Sequence, residues 1–194
     1  MGGKDKALVL LGGRPLLAHV IDRMRPQTGS LMLSVDSLRT GLDRFGLAQV
    51  VDPRAGSHGP LGGLLAAMEA MPPPADWLLV VPCDAPFVPW NLAERLWQQA
   101  RSSALPGCLV RYQGQLQPTF SLWQRAVLAP LRGAVLQDGL GGFKQFLGRM
   151  RLALLDWEEQ PGQPFMNINC PADLQRAEAL LAADGGPISS AEQN

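Results

Sequence analysis

The chain has little of what several familiar architectures need. Of 194 residues three are cysteine, two histidine and one tyrosine. Cys83, Cys108 and Cys170 are odd in number and widely spaced, which argues against a disulfide scaffold and for a reducing compartment. His19 and His58 are too few for a three-histidine zinc site. Lys and Arg total 17 and Asp and Glu 17, a formal net charge of zero, so no face-wide field attracts nucleic acid or anionic lipid. Gly, Pro or a charge interrupts every apolar run before it reaches the length of a membrane span. The start, Met-Gly-Gly-Lys-Asp-Lys-Ala-Leu, is charged and glycine-broken, unlike a secretory signal. The expectation is a soluble cytoplasmic protein with no nucleic-acid and no membrane partner.

What is present is a hydrophobic content of 46%, enough for a folded core without staples. The 21 glycines and 17 prolines fall between apolar segments and read as loops. Leu8–Leu11 is apolar and ends in Gly12-Gly13-Arg14-Pro15, a tight turn launching a helix with the stripe Leu16, Leu17, Val20, Ile21, Met24. His19 lies off that stripe, which predicts exposure. Short strands are expected at Leu31–Val35 and Gln49–Val51, flanking a polar helix near Leu38–Phe45. Gly59-Pro60-Leu61-Gly62-Gly63 opens another helix, and Trp77–Val81 has the continuous apolar run of a strand covered on both faces. A helix follows from about Asn91 to Ala100. Leu109–Tyr112 and Gln117–Leu122 read as a hairpin, Gly142–Met150 as a short helix and Leu152–Asp156 as a strand. A final helix buries Leu174, Ala177 and Leu181. The expected organisation is one domain over 1–183 and a frayed tail over 184–194.

Alternating strands and helices imply a three-layer α/β fold with a mostly parallel sheet. Ligands of such folds bind outside the carboxyl ends of the strands, and polar residues stand there. Asp52 follows one strand, Asp84 another, Asn167 and Asn169 precede a helix, and Lys6 follows Gly2-Gly3. The helix opening near Leu61 carries two glycines in its first turn, so its amides can face an anion or a nucleotide base. Each signal also has a plainer explanation. An Asp after a strand is often a turn former, Asn169 can be a helix cap, and Cys83 reads as a small buried hydrophobe.

Four segments occur in a telling order: Met1-Gly2-Gly3-Lys4-Asp5-Lys6-Ala7-Leu8, Asp52…Gly59-Pro60-Leu61-Gly62-Gly63, Pro82-Cys83-Asp84-Ala85-Pro86, and Asn167-Ile168-Asn169-Cys170-Pro171-Ala172-Asp173-Leu174. The chain resembles the molybdenum cofactor guanylyltransferases over nearly its whole length. The resemblance implies a Rossmann-like nucleotidyltransferase fold and transfer of GMP from GTP to molybdopterin, with release of pyrophosphate. It implies Lys6 and Asp84 as catalytic residues, with Asp84 holding Mg2+. It places Gly2, Gly3, Lys6, Ser34, Asp52, Gly59, Pro60, Leu61, Gly62, Gly63 and Asp84 at GTP. Pro82, Cys83, Pro86, Gln117, Asn167 and Asn169 are placed at molybdopterin. GTP and molybdopterin are the implied partners, with cofactor-loading proteins and molybdoenzymes as further ones. A related cytidylyl- or sugar-phosphate nucleotidyltransferase, or an inactive molybdopterin-binding short form, is the alternative.

The chain departs from the family pattern twice. Ser34-Val35-Asp36 stands where the family usually has an asparagine at the end of the second strand. The family also begins with a buried central strand and a Leu-Ala-Gly-Gly-x-x-x-Arg loop immediately before the Met-Gly-Gly segment, where this sequence has Met1. The expectation is that the first strand is missing from this chain. The start is then one placed too far downstream, or the chain is a short form that is weakened or inactive.

Overall fold

A computed structural model describes residues 6–51, 59–158 and 162–184. The glycine turn forms a minute hairpin, β1 (Leu10–Leu11) and β2 (Arg14–Pro15), with Gly12 and Gly13 at positive φ between them. Helix α1 (Leu16–Met24) follows and buries its expected stripe. His19 is half-buried, not exposed, because its Nε2 lies 3.0 Å from the Leu11 carbonyl oxygen. β3 (Met32–Val35) runs parallel to β4 (Ala48–Val51), and the segment between them is a 3₁₀ turn at Thr40–Phe45.

Helix α2 (Gly59–Ala70) leads to β5 (Trp77–Val80), and α3 (Leu92–Ser103) to the hairpin β6 (Gly107–Tyr112) and β7 (Gln115–Gln124). Then come α4 (Leu128–Leu136), absent from the sequence-based expectations, α5 (Phe143–Leu147), β8 (Ala153–Trp157) and α6 (Pro171–Asp184). Asp184, the first residue of the expected tail, ends α6; residues 185–194 and the glycine-rich start lie outside the described residues.

The second sheet runs β5-β7-β6-β8, with β7 antiparallel to both neighbours and β6 parallel to β8. Parallel pairing therefore holds for β3–β4 and β6–β8, and β7 makes the sheet mixed. Alternation along the strands sends side chains to opposite layers. Cys108, Val110, Leu122 and Leu155 face α1 and α3, where Val20, Leu92, Leu96 and Ala100 are buried. Leu109, Trp123, Leu78 and Leu154 face α2, α4 and α5, where Leu61, Leu65, Leu131 and Phe146 are buried. That two-sided covering makes the fold three-layered.

β3 and β5, which belong to different sheets, do not join. Among the described residues β3 pairs only with β4, and β5 only with β7. Residues of both strands, Met32, Ser34 and Val35 with Trp77, Leu79 and Val80, line one cleft of about 1190 Å³. This explains a discrepancy with the sequence pattern. The apolar run of β5 predicts full burial, yet all four of its residues are only half-buried.

Among the described residues β6 is paired on both edges and β3 and β5 on one, so their amides differ in protection from water. In hydrogen-exchange NMR, amides of Met32–Val35 and Trp77–Val80 that face the cleft exchange orders of magnitude faster than those of Cys108–Val110.

Candidate active site

Lys6 begins a 3₁₀ turn whose Ala7 is buried against Leu17, Ile21 and Leu42, with Leu33 and Val35 of β3 packed beside it. That packing carries the lysine to the carboxyl end of the strands. Its Nζ donates to Asn169 Oδ1 at 2.5 Å and lies 3.8 Å from Asp84 Oδ2. Three segments that are remote in sequence thus meet at one ammonium group.

Asp84 stands four residues beyond the end of β5, in the Pro82–Pro86 loop. Ala85 and Pro86 are buried behind it, and its side chain is 13% exposed. Burial pushes its carboxyl above the usual carboxylate range, and the Lys6 charge partly opposes this. The loop is fastened to the segment before α6, because the Ile168 N–H donates to the Asp84 carbonyl at 2.9 Å. Asn167 Oδ1 is buried and has no hydrogen-bond partner among the described residues, an unsatisfied acceptor of the kind that marks a place for a ligand donor or cation.

The nucleotide-side candidates divide. Ser34, Gly59, Pro60 and Gly63 line the cleft between β3 and β5, as does Pro82. A Cβ on Gly63 would stand 2.6 Å from Ser34 Oγ, so glycine there sets the close approach of α2 to β3. Leu61, by contrast, is fully buried in the core with Trp123, and Gly62 is buried too. The Leu61 N–H does not point at an open site either, since it donates to the Gly141 carbonyl at 3.1 Å. The expectation of free first-turn amides therefore fails at that position. Gly141 is a neighbour that sequence reasoning missed. Its only signal is a glycine pair between two helices. Gly2, Gly3 and Asp52 lie outside the described residues.

On the other side Cys83 is exposed, a correction to its reading as a buried hydrophobe. A single loop residue flanked by Pro82 and the polar Asp84 has no apolar layer to enter. Pro86 is buried, and Gln117 is half-buried in β7 opposite Val110. Thr119, two residues on, reaches the cleft. Cys108 is fully buried, its thiol pushed up to about 12 by that burial, which removes it as a nucleophile. Among the described residues no three His, Cys, Asp or Glu side chains cluster as a metal site.

Residues 1–156 match the MobA-like NTP transferase domain. The chain belongs to the MobA-like NTP transferase family. It is 37% identical over 187 residues to a protein of Rhodopseudomonas palustris named molybdenum cofactor guanylyltransferase, covering 95% of this chain and 89% of that one. A protein of the same name from Cereibacter sphaeroides is 36% identical, with coverages of 95% and 92%. Among solved structures, molybdopterin-guanine dinucleotide biosynthesis protein A of Archaeoglobus fulgidus superposes with a TM-score of 0.77 at 22% identity, covering 93% and 92% of the two chains. A 2-C-methyl-D-erythritol 4-phosphate cytidylyltransferase of Thermus thermophilus gives 0.67 at 20% identity, covering 91% and 94%. The family's fold, an α/β nucleotidyltransferase architecture, is thus the fold of this chain.

Two outcomes check the geometry. Gly63→Ala drives a methyl group into Ser34 Oγ and lowers stability by about 1–3 kcal/mol. Adding Ser34→Ala recovers most of that loss, as read by denaturant unfolding. Asp84→Asn has the opposite sign. A carboxyl whose folded pKa is raised is destabilising once pH exceeds that pKa, because the ion then pays for its burial. The neutral amide removes this penalty, so the variant melts at the same or a higher temperature than the parent at pH 7. Below the carboxyl's unfolded pKa the difference shrinks.

Proposed function

We propose that this chain transfers GMP from GTP to the terminal phosphate of molybdopterin, yielding the guanine dinucleotide form of the cofactor and pyrophosphate. The observation that carries the reading is the convergence of Lys6, Asp84 and Asn169 on one point, in a chain whose relatives are named for that activity.

The chemistry asks for little covalent work. A phosphate monoester has its second pKa near ~6, so at neutral pH it is largely ionised and needs no general base to attack. Its oxygen forms a bond to the α-phosphorus of GTP while the bond to the departing pyrophosphate breaks. Phosphoryl and nucleotidyl transfers of this type depend on alignment and on neutralising charge. The Lys6 ammonium supplies a positive charge where phosphate oxygens gather. Ser34, Gly59, Pro60 and Gly63 form the wall available to the nucleoside. Asn167 and Asn169 offer amide donors and acceptors to the second substrate's phosphate.

The residues present also fit Mg2+. They are hard oxygen donors: the Asp84 carboxylate with the unsatisfied Asn167 oxygen on the neighbouring segment. Magnesium takes one or two carboxylates and completes its octahedron with phosphate and water, so a crowded acidic cluster is not needed. When bound, the ion would neutralise phosphate charge and orient the leaving group. The cytoplasm is the proposed location. Cofactor-loading proteins and molybdoenzymes are the proposed recipients of the product.

The test is pyrophosphate release with magnesium and molybdopterin, with GTP and CTP in competition. The expected result is turnover that prefers GTP. Preference for CTP overturns the guanylyl assignment. Lys6→Ala and Asp84→Ala each lower kcat by about 100-fold or more, while circular dichroism shows the fold retained.

A further inference from the structure

We infer that Asp173 is a positioning residue for this reaction: its carboxylate fixes the turn that presents Asn169 to Lys6. The inference rests on the guanylyl-transfer reading of the site.

Asp173 lies in the first turn of α6. Its Oδ2 accepts the backbone N–H of Asn169 at 2.9 Å and that of Cys170 at 3.0 Å. These amides stand immediately before Pro171, where the helix begins and where the backbone cannot otherwise satisfy them. Both bonds converge on one oxygen, so they fix the orientation of residue 169 relative to the helix. The backbone N–H groups of Asn169 and Cys170 correspondingly hold the Asp173 carboxyl below the usual carboxylate range.

A second clamp acts one residue earlier, where the Ile168 N–H donates to the Asp84 carbonyl. Asn169 is therefore tied on one side to the loop that carries the acid and on the other to α6. Its Cα–Cβ direction follows from the two clamps, and its Oδ1 meets Lys6 Nζ at 2.5 Å. α6 is a firm reference for this purpose. Ala177 is fully buried, in one cluster with Leu11, Leu16, Phe87 and Ile168. Glu178 accepts the Gly12 N–H at 3.0 Å, and Leu181 leaves no room for a Cβ on Gly12. A site on such an element is held more closely than one on a free loop.

A simple helix cap would make the same two hydrogen bonds, and the two roles differ in what they change. Loss of a cap lowers stability alone. Loss of a positioning group also moves Asn169, and with it the ammonium that Asn169 holds 3.8 Å from Asp84. Misplacement by about 1 Å can cost ~100-fold in rate.

The experiment compares Asp173→Ala and Asp173→Asn in the full chain. Asparagine keeps an oxygen acceptor in place, whereas alanine removes it. Four quantities are read: the melting temperature, KM for GTP, kcat by pyrophosphate release, and the side-chain amide resonance of Asn169, which reports its contact with Lys6. For Asp173→Ala the expected result is a kcat lowered about 10-fold or more, with KM for GTP changed less than about 3-fold, and a displaced Asn169 resonance. Asp173→Asn restores kcat to within about 3-fold and returns the resonance toward its original position. An Asp173→Ala protein that melts lower but keeps kcat per folded molecule and the Asn169 resonance overturns the inference. So does an asparagine variant as slow as the alanine one with that resonance unmoved. If the parent chain turns over no nucleotide, the guanylyl-transfer reading fails separately. The Asn169 resonance then decides the positioning claim alone, a displacement in Asp173→Ala supporting it and its absence overturning it.

Discussion

One ammonium group ties the site together. Lys6 comes from the amino end of the chain, Asp84 from beyond β5 and Asn169 from the approach to α6, 163 residues away from the lysine. No two of these segments are neighbours in the chain, so only a packed tertiary structure brings them into range. The contact is also suited to being exchanged. Lys6 remains 44% exposed, so screening by water weakens its ion pair with Asp84. Substrate phosphates carry more negative charge than the carboxylate they would compete with. A buried, permanently saturated lysine could not serve an incoming anion in this way.

Asp84 illustrates the compromise that such a site requires. Its carboxyl lies where burial opposes ionisation and one lysine partly offsets that opposition. A fold optimised for stability alone would place a neutral or apolar group there. A strained charge near the strand ends is instead what binding of cations and phosphates can relieve. Among the described residues β3 and β5 each leave one edge unpaired, and β5 remains half-buried. The candidate residues Ser34, Gly59 and Gly63 line the cleft between those edges.

Much of this was legible in the residues themselves. The stripe of α1, the hairpin β6–β7 and the strand run at Trp77 follow from period and turn chemistry, since apolar spacing records which face meets a core. Less legible were features where tertiary contact overrides local pattern. α4 has an apolar segment interrupted by Pro130, Arg132 and Gly133, which carries no clean helical stripe, and packing against α2 and Trp123 makes it a helix. His19 and Cys83 were misplaced in burial because exposure depends on what else packs nearby. The Leu11 carbonyl draws the first inward, and the loop's position at the strand ends leaves the second outside.

For the site the division is similar. By itself the sequence determined the candidates for the site: a lysine after glycines, an aspartate in a proline-bounded loop, and asparagines before a helix. Residue type and order along the chain are covalent facts, and they were enough to imply the family. Only the tertiary structure decided that Lys6, Asp84 and Asn169 touch and that Leu61 turns into the core with its N–H on Gly141. The grip of Asp173 on the turn that carries Asn169 is by contrast a local contact at the start of α6. Hydrogen bonds of 2.5–3.1 Å between residues as distant as Lys6 and Asn169, or Leu61 and Gly141, depend on how whole layers pack, and no local pattern of residues encodes that distance.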